Sequence, residues 1–271
     1  MEKINFAFFG TPDVASETLE ILKQRGFLPS LIITSPDAKQ GRKMILTPPS
    51  VKVWAEKNNI PYIQKLEDLH DGFDLFVVVA YGQILPEEIL NMPKFGSINI
   101  HYSLLPRYRG ASPVESVILN GDTETGVTIQ KMIYKMDAGP IIATEKTNIL
   151  PDETSPDLRK RLIKLGGELL VKILPDFING KTKEIVQNEN EATFCKKIKK
   201  EDGLIDLLSN ATKNYNKFRA YSHWPRTFFF KNGKRIIITD AALEDGKFIV
   251  KKILPEGKKE INYANSIYAT A

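Results

Sequence analysis

The chain has 271 residues, of which 42% are hydrophobic, and its formal net charge at pH 7 is +5; this length suits one large and one small domain, or two medium ones. No apolar run approaches the ~20 residues of a membrane span, and the N-terminus resembles neither a signal peptide nor a transit peptide. One cysteine (Cys195) and three histidines exclude a disulfide framework and zinc-type spacing, so we expect a cytoplasmic protein without a metal.

The N-terminal half alternates short apolar runs with stretches of helical spacing. Helices are predicted at Val14–Arg25 and Ser50–Asn58. Strands buried on both faces are predicted at Ile4–Phe9, Leu31–Thr34, Leu75–Ala80 and Ile98–His101. Because strands and helices alternate, we expect an α/β fold with a Rossmann-like, mostly parallel sheet that carries helices on both faces.

Two turn signals mark the C-terminal region. Asn232-Gly233 separates Phe228–Phe230 from Arg235–Thr239 and predicts a hairpin. Asp245-Gly246 precedes the apolar run Phe248–Ile253 and suggests a second turn. We therefore expect a small antiparallel sheet or a shortened, OB-like barrel.

The charge is unevenly distributed between two predicted domains. A helix predicted from Ser155 to Ile178 is followed by a polar connection, residues 181–206, which we assign to a first domain of residues 1–206. That domain carries 26 Lys+Arg against 28 Asp+Glu, whereas residues 207–271 carry 12 against 5. A basic C-terminal domain favours a polyanionic partner such as nucleic acid, although a merely solvated basic surface explains the charge equally well.

Polar side chains end two apolar runs. Asn99 and His101 are two residues apart on a predicted strand, so both side chains leave the same face. Asp137 follows a further apolar run, Val127–Ile133. In doubly wound sheets ligands bind beyond the carboxyl ends of the strands. Asn99 and His101 are thus either a hydrogen-bonded structural pair or part of a site with Asp137.

These three residue types suit attack of an amine on a carbonyl carbon. A side-chain amide stabilises the developing oxyanion by on the order of 3 kcal/mol. A histidine that gives or takes the proton contributes ~10²–10⁴-fold, and a carboxylate orients it. The sequence contains no G-x-S-x-G elbow, and the first predicted strand is not followed by G-x-G-x-x-G. We therefore expect direct attack, with neither a nucleophilic serine nor a nucleotide cofactor.

The segment of residues 35–49 is long and polar, and it holds Lys39, Arg42 and Lys43. Composition alone favours a solvated surface loop. Loops of this length are, however, frequently functional, and the three cations would suit a phosphate-bearing ligand.

Several motifs give the chain a family resemblance. Those around the polar residues are Asn99-Ile-His101-Tyr-Ser103-Leu-Leu-Pro106, Tyr108-Arg-Gly110-Ala-Ser-Pro113, Gly121-Asp-Thr-Glu-Thr-Gly126-Val-Thr128 and Asp137-Ala-Gly139. Others are Phe9-Gly10-Thr11-Pro12, Pro36-Asp37, Gly41-Arg42-Lys43, Val79-Ala80-Tyr81-Gly82-Gln83-Ile84-Leu85-Pro86, Lys200-Glu201-Asp202-Gly203 and Pro255-Glu256-Gly257-Lys258-Lys259. Together they resemble the formyltransferase family that uses 10-formyltetrahydrofolate, over nearly the whole chain.

The resemblance implies a reaction, its substrates and its site. The formyl group of 10-formyltetrahydrofolate would pass to the α-amino group of methionyl-initiator tRNA. Asn99 would hold the formyl oxygen, His101 would handle the proton, and Asp137 would orient His101. The folate pocket would be lined by Tyr81, Gly82, Gln83, Ile84, Leu85, Ser103, Leu104, Leu105 and Pro106. Lys39, Arg42 and Lys43 would contact tRNA, as would the basic domain, and we expect a monomer.

The chain departs from the family pattern at Tyr102, where a small residue is usual, at Tyr108, where tryptophan is common, and in a shortened C-terminal domain. Two alternatives remain. One keeps the chemistry but transfers formyl to an amino sugar nucleotide or another small amine. The other is a nucleic-acid-binding protein on an inactive formyltransferase scaffold.

Overall fold

The structure is a computed structural model that describes residues 4–41 and 43–269. Its contacts divide the chain into two compact units, each discontinuous in sequence. The first unit comprises Met1–Arg109, Gly126–Lys146 and Arg161–Thr193, and the second comprises Gly110–Thr125, Thr147–Lys160 and Phe194–Ala271. The boundary between domains at residue 206 stays a prediction.

The described residues contain the following elements in chain order. The strands are β1 (Phe6–Gly10), β2 (Leu31–Ile33), β3 (Ala38–Gln40), β4 (Ile45–Thr47), β5 (Tyr62–Ile63), β6 (Leu75–Val79), β7 (Ser97–His101), β8 (Arg109–Gly110), β9 (Glu124–Lys131), β10 (Ile141–Asn148), β11 (Phe194–Cys195), β12 (Phe228–Lys231), β13 (Lys234–Glu244), β14 (Lys247–Pro255) and β15 (Ile261–Asn262). The helices are α1 (Asp13–Gln24), α2 (Ser50–Lys57), α3 (Glu87–Leu90), α4 (Pro113–Leu119), α5 (Ser155–Ile178) and α6 (Ala211–Ala220).

A seven-stranded sheet of order β10-β9-β7-β6-β1-β2-β5 is the main framework of the site. Strands β5, β2, β1, β6 and β7 are parallel neighbours, whereas β9 runs antiparallel to β7. All five residues of β1 and of β6 are buried, as expected for central strands with both faces covered. The predicted α/β class with a mostly parallel sheet is confirmed.

The ends of two predicted strands shift by a residue or two for local reasons. Strand β1 begins at Phe6 rather than Ile4, and the backbone N–H of Asn5 donates to the carboxylate of Asp74 at 2.9 Å. Strand β6 ends before Ala80, whose φ of 47° takes the chain out of the extended conformation. The predicted helices α1, α2 and α5 are confirmed to within a residue.

The C-terminal sheet has the order β12-β13-β14-β15 and is antiparallel throughout. Both predicted turns are present: Asn232 and Gly233 have φ of 52° and 72°, and Asp245 and Gly246 have 47° and 71°, the positive values that tight hairpins require. Within the described part of the chain, β12 and β15 are the outer strands of this sheet, and Leu204 forms a parallel bridge with Phe228 of β12. The predicted small antiparallel sheet is confirmed.

Several elements were absent from the sequence expectations, among them two strands and two helices. The hairpin of β3 and β4 lies within the polar segment 35–49, and helices α4 and α6 lie in the second unit. Helix α6 is too polar to show apolar periodicity, and its start is fixed by Asn210, whose side chain accepts from the N–H of Lys213. Among the described residues, no helix is both long and apolar enough to cross a membrane.

Candidate active site

Strand β7 carries the first two polar residues of the site. Asn99 and His101 alternate with buried Ile98 and Ile100, so both lie on one face of the sheet. The Asn99 side-chain amide donates one hydrogen bond to the carbonyl of Val78 on β6, at 3.0 Å. That bond fixes the amide group and leaves its second N–H to meet an incoming oxygen.

The His101 ring is held from one nitrogen. Its Nε2 lies 2.8 Å from the carbonyl oxygen of Tyr108. Because a carbonyl only accepts, Nε2–H is the donor. Tyr108 has a φ of 60°. With Nε2 occupied in this way, Nδ1 is the nitrogen that can accept a proton from a ligand.

Asp137 faces that second nitrogen. Its Oδ1 lies 3.7 Å from His101 Nδ1, and the two side chains are 16% and 7% exposed. The same Oδ1 accepts a hydrogen bond from Gln130 Nε2 at 2.9 Å. Asp137 itself has a φ of 49° in the turn that follows β9. The structure therefore brings together the predicted histidine and carboxylate, which are far apart in sequence.

A cavity of about 230 Å³ opens beside Asp137. It is lined by Gln83, Ile84, Leu85, Leu90, Gln130, Met132, Ile133, Tyr134, Met136 and Asp137. Three of the nine residues predicted for the folate pocket are thus on its wall. Apolar side chains form most of the lining, and the polar groups lie beside the histidine–carboxylate pair.

The other predicted pocket residues occupy different places. Tyr81 is buried and packs edge-on against Phe9, with ring centroids 5.5 Å apart, and Gly82 is exposed beside it. The turn made by Ser103, Leu104, Leu105 and Pro106 is tied to β9 by Thr128. Thr128 Oγ1 donates to the carbonyl of Ser103 at 2.7 Å and accepts from the N–H of Leu105 at 3.1 Å. These residues are not among those lining the cavity.

Tyr102, the residue that follows His101 in the sequence, is buried. Its hydroxyl has no partner within hydrogen-bonding geometry among the described residues, and burial raises the pKa of this phenol above its usual range. Its ring lies beside Gly166 of α5, where an added Cβ would meet Tyr102 Cε1 at 3.5 Å. The departure at this position is therefore accommodated by a glycine.

Sequence reasoning missed several residues of the site. Met132, Ile133, Tyr134 and Met136 line the cavity, and the last three are at least 44% exposed. The sequence does carry one signal for these cavity residues. It is an apolar run that continues past the end of a strand into a polar turn. Gln130 gave no signal, because an isolated glutamine on a strand predicts nothing about its partner.

Two of the three predicted tRNA contacts lie on or beside the β3–β4 hairpin. Lys39 and Lys43 are exposed there, and Arg42 lies outside the described residues. The neighbouring Met44, Ile45 and Leu46 are 60–64% exposed. The hairpin thus presents cations next to apolar side chains, which is unusual for a purely solvated loop.

Comparison with known proteins shows the family of the chain. The formyl transferase family model matches residues 2–174, and the model of the formyl transferase C-terminal domain matches residues 197–265. The methionyl-tRNA formyltransferase of Staphylococcus epidermidis is 39% identical over 249 residues, which is 89% of this chain and 80% of that protein. That of Thermotoga neapolitana is 40% identical over 247 residues, 88% of this chain and 79% of that one.

Solved structures share the fold. A 4-N formyltransferase from Francisella tularensis superposes with a TM-score of 0.71 at 23% identity, covering 88% of this chain and 98% of that one. A methionyl-tRNA formyltransferase from Clostridium thermocellum has a TM-score of 0.61 at 16% identity, covering 96% and 99%. At these identities the solved structures show the fold alone. The family models and the curated relatives show to which family the chain belongs. The chain belongs to the formyl transferase family.

Proposed function

We propose that this protein is a methionyl-tRNA formyltransferase, which transfers a formyl group from 10-formyltetrahydrofolate to the α-amino group of methionyl-initiator tRNA. The observation that carries the proposal is the contact of Asp137 with His101, on the face of β7 that also bears Asn99. About 40% identity to relatives with this name over most of the chain supports the same acceptor.

In the proposed mechanism, each polar side chain has one task. Asn99 donates its second N–H to the formyl oxygen as negative charge develops there. His101 Nδ1 accepts the proton that the attacking amine loses, and Asp137 stabilises the imidazolium that results. The new bond joins the amine nitrogen to the formyl carbon, the bond from that carbon to N10 of the folate breaks, and the proton ends on N10. The atoms balance without a covalent enzyme intermediate.

The cavity beside Asp137 fits one end of a folate. Its apolar wall of Ile84, Leu85, Met132 and Tyr134 suits a flat heteroaromatic ring. Gln83 and Gln130 supply amide groups that can donate and accept hydrogen bonds at the ring edge. We assign the folate to this cavity. A folate contact of Tyr81, Gly82 and residues 103–106 stays a prediction.

The acceptor is a polyanion, and two basic regions suit it. The hairpin carrying Lys39 and Lys43, together with Arg42, would contact the acceptor stem. The excess of seven positive charges in residues 207–271 would follow the phosphate backbone. An amino sugar nucleotide would need neither region. We propose a cytoplasmic monomer, because charged tRNA is a cytoplasmic substrate and one cysteine fits that compartment.

The test measures transfer of labelled formyl from 10-formyltetrahydrofolate to charged initiator tRNA, with free methionine and an amino sugar nucleotide as parallel acceptors. We expect label on the tRNA alone. Label on the sugar nucleotide would replace the acceptor and retain the chemistry. Tight binding of tRNA without transfer to any acceptor would point to an inactive scaffold.

A further inference from the structure

A fully buried arginine lies one residue after the tyrosine that holds His101. The side chain of Arg109 is 0% exposed. Its Nε and Nη2 donate to Gln187 Oε1 at 3.1 and 2.8 Å, and its two Nη atoms donate to the Glu189 carboxylate at 3.1 and 2.9 Å. A buried charge is tolerated only when it is paired and hydrogen-bonded, so this network fixes where the Gln187 amide must lie.

Gln187 connects this arginine to the turn that bears Asp137. Because Arg109 holds Oε1, the Nε2 of the same amide points the other way. It donates to the carbonyl oxygens of Asp137 and Gly139, at 2.9 and 2.7 Å. Gln187 is itself 6% exposed. One side-chain amide therefore donates hydrogen bonds to backbone carbonyls on both sides of the turn.

The backbone of this turn is in an uncommon conformation. Asp137 has a φ of 49°, in the left-handed region that most residues with a Cβ avoid and that Asp adopts more readily than they do. Asp137 also touches His101 at 3.7 Å, a distance that a small rotation of the turn would lengthen. Without the two bonds from Gln187, relaxation of this φ would move the carboxylate off the imidazole.

The backbone next to Arg109 is fixed on the other side of the histidine. The N–H of Tyr108 donates to Thr193 Oγ1 at 2.9 Å, and the N–H of Arg109 donates to the Thr193 carbonyl at 2.8 Å. These bonds hold the carbonyl of Tyr108 that accepts from His101. Both nitrogens of the imidazole thus face groups whose positions depend on the Arg109 segment.

We propose that Gln187 is a positioning residue that holds Asp137 against His101 for formyl transfer, and that Arg109 acts through Gln187. This inference rests on the proposed function. It adds two residues that do not line the cavity and whose effect is transmitted by hydrogen bonds.

The decisive variant is Gln187→Glu. A carboxylate keeps oxygen acceptors for Arg109 but places an oxygen, instead of an N–H donor, against the two turn carbonyls. We expect kcat at saturating folate and tRNA to fall by about 10²-fold, as a misplacement of about 1 Å produces, with both KM values within about threefold of wild type. Gln24→Glu, the same change on exposed α1, is the matched control.

A double-variant cycle identifies the route of the effect. If Gln187 acts through Asp137, then Gln187→Glu combined with Asp137→Asn will be no slower than Asp137→Asn alone. Multiplicative losses in the double variant, an unchanged kcat in Gln187→Glu, or an effect confined to KM would each overturn the proposal. Thermal unfolding of every variant shows whether the measured protein is folded, and Gln187→Met replaces Gln187→Glu if the latter is not.

A spectroscopic measurement separates this inference from the proposed function. In protein labelled with ¹⁵N-histidine, Gln187→Glu should move the ring signals of His101 and leave those of His70 and His223 in place. His101 signals that do not move would refute the positioning role even in an active enzyme. A wild-type protein without transfer activity would refute the function while this result still decides whether Gln187 positions Asp137.

Discussion

The active-site edge of the first unit and the C-terminal sheet of the second are built by different kinds of contact. Arg109 and Gln187, which support the site, are 78 residues apart. The C-terminal sheet instead pairs consecutive strands through two tight turns. Buried polar groups require partners at fixed positions, whereas a basic surface requires only exposure. The arrangement of the catalytic groups therefore depends on long-range contacts. The basic surface depends only on local pairing of consecutive strands.

The largest loss should follow His101→Ala, which breaks the site without altering the basic surface. We expect kcat to fall at least ~10²-fold, because proton transfer loses its positioned base, while the KM for tRNA changes little. Single-turnover formyl transfer measures the rate. His223→Ala, an exposed histidine of the second unit, is the control; a His101→Ala enzyme as fast as that control would remove His101 from the mechanism.

Asn99→Ala tests the other side of the reacting carbonyl. The variant lacks the amide that would donate to the formyl oxygen, and a lost donor of this kind is worth on the order of 3 kcal/mol, or about 10²-fold in kcat. Steady-state kinetics with saturating tRNA provides the number. Asn99→Asp should be at least as slow, since a carboxylate repels an oxyanion; faster turnover by Asn99→Asp than by Asn99→Ala would contradict the assigned role.

The basic segment of the first unit, which contributes surface charge rather than buried contacts, is tested by changing Lys39, Arg42 and Lys43 together to alanine. We expect the KM for tRNA to rise about tenfold near 0.1 M salt and the dependence of log KM on log salt to flatten by roughly two, since each phosphate contact contributes about 0.7–0.9 to that slope. The kcat at saturating tRNA should stay unchanged. The control replaces exposed Lys57, Lys164 and Lys172 with alanine, which removes equal charge outside both basic regions. An unchanged KM in the hairpin variant would take the hairpin out of the tRNA contact.

The smallest effect concerns acid stability. Hydrogen bonds from Arg109 and then Lys135 lower the pKa of Glu189 from 4.5 to about 2. The folded protein thus keeps this carboxylate ionised where the unfolded chain protonates it, so its contribution is present above pH 4.5 and is lost as the pH falls towards 2. The free energy of unfolding, measured by urea titration, should fall less between pH 5 and pH 3 in Glu189→Gln than in wild type. Glu88→Gln on exposed α3 is the control, and identical pH slopes for wild type and Glu189→Gln would contradict the pairing.

The sequence predicted the strands and helices whose residues are buried on a regular pattern. Strand β6 is a run of five buried apolar residues and was found within one residue, and both C-terminal turns follow from their Asn-Gly and Asp-Gly pairs. Helix α6 was not predicted because its buried residues are mostly polar, such as Asn214, Asn216 and Arg219. The β3–β4 hairpin was not predicted because its residues are mostly exposed. Short sequence patterns therefore predicted individual strands, helices and turns, but not the contacts between distant residues.

For the site, the sequence by itself determined which residue types are available: the amide and imidazole share a strand face because side chains alternate along β7. It also determined the basic charge of residues 207–271. Only the tertiary structure decided that Asp137 faces His101, that Met132 and Tyr134 line the cavity, and that Arg109 and Gln187 support the turn. The physical reason is that a buried hydrogen bond joins residues by their positions in space, and no periodicity of the chain encodes a partner 78 residues away.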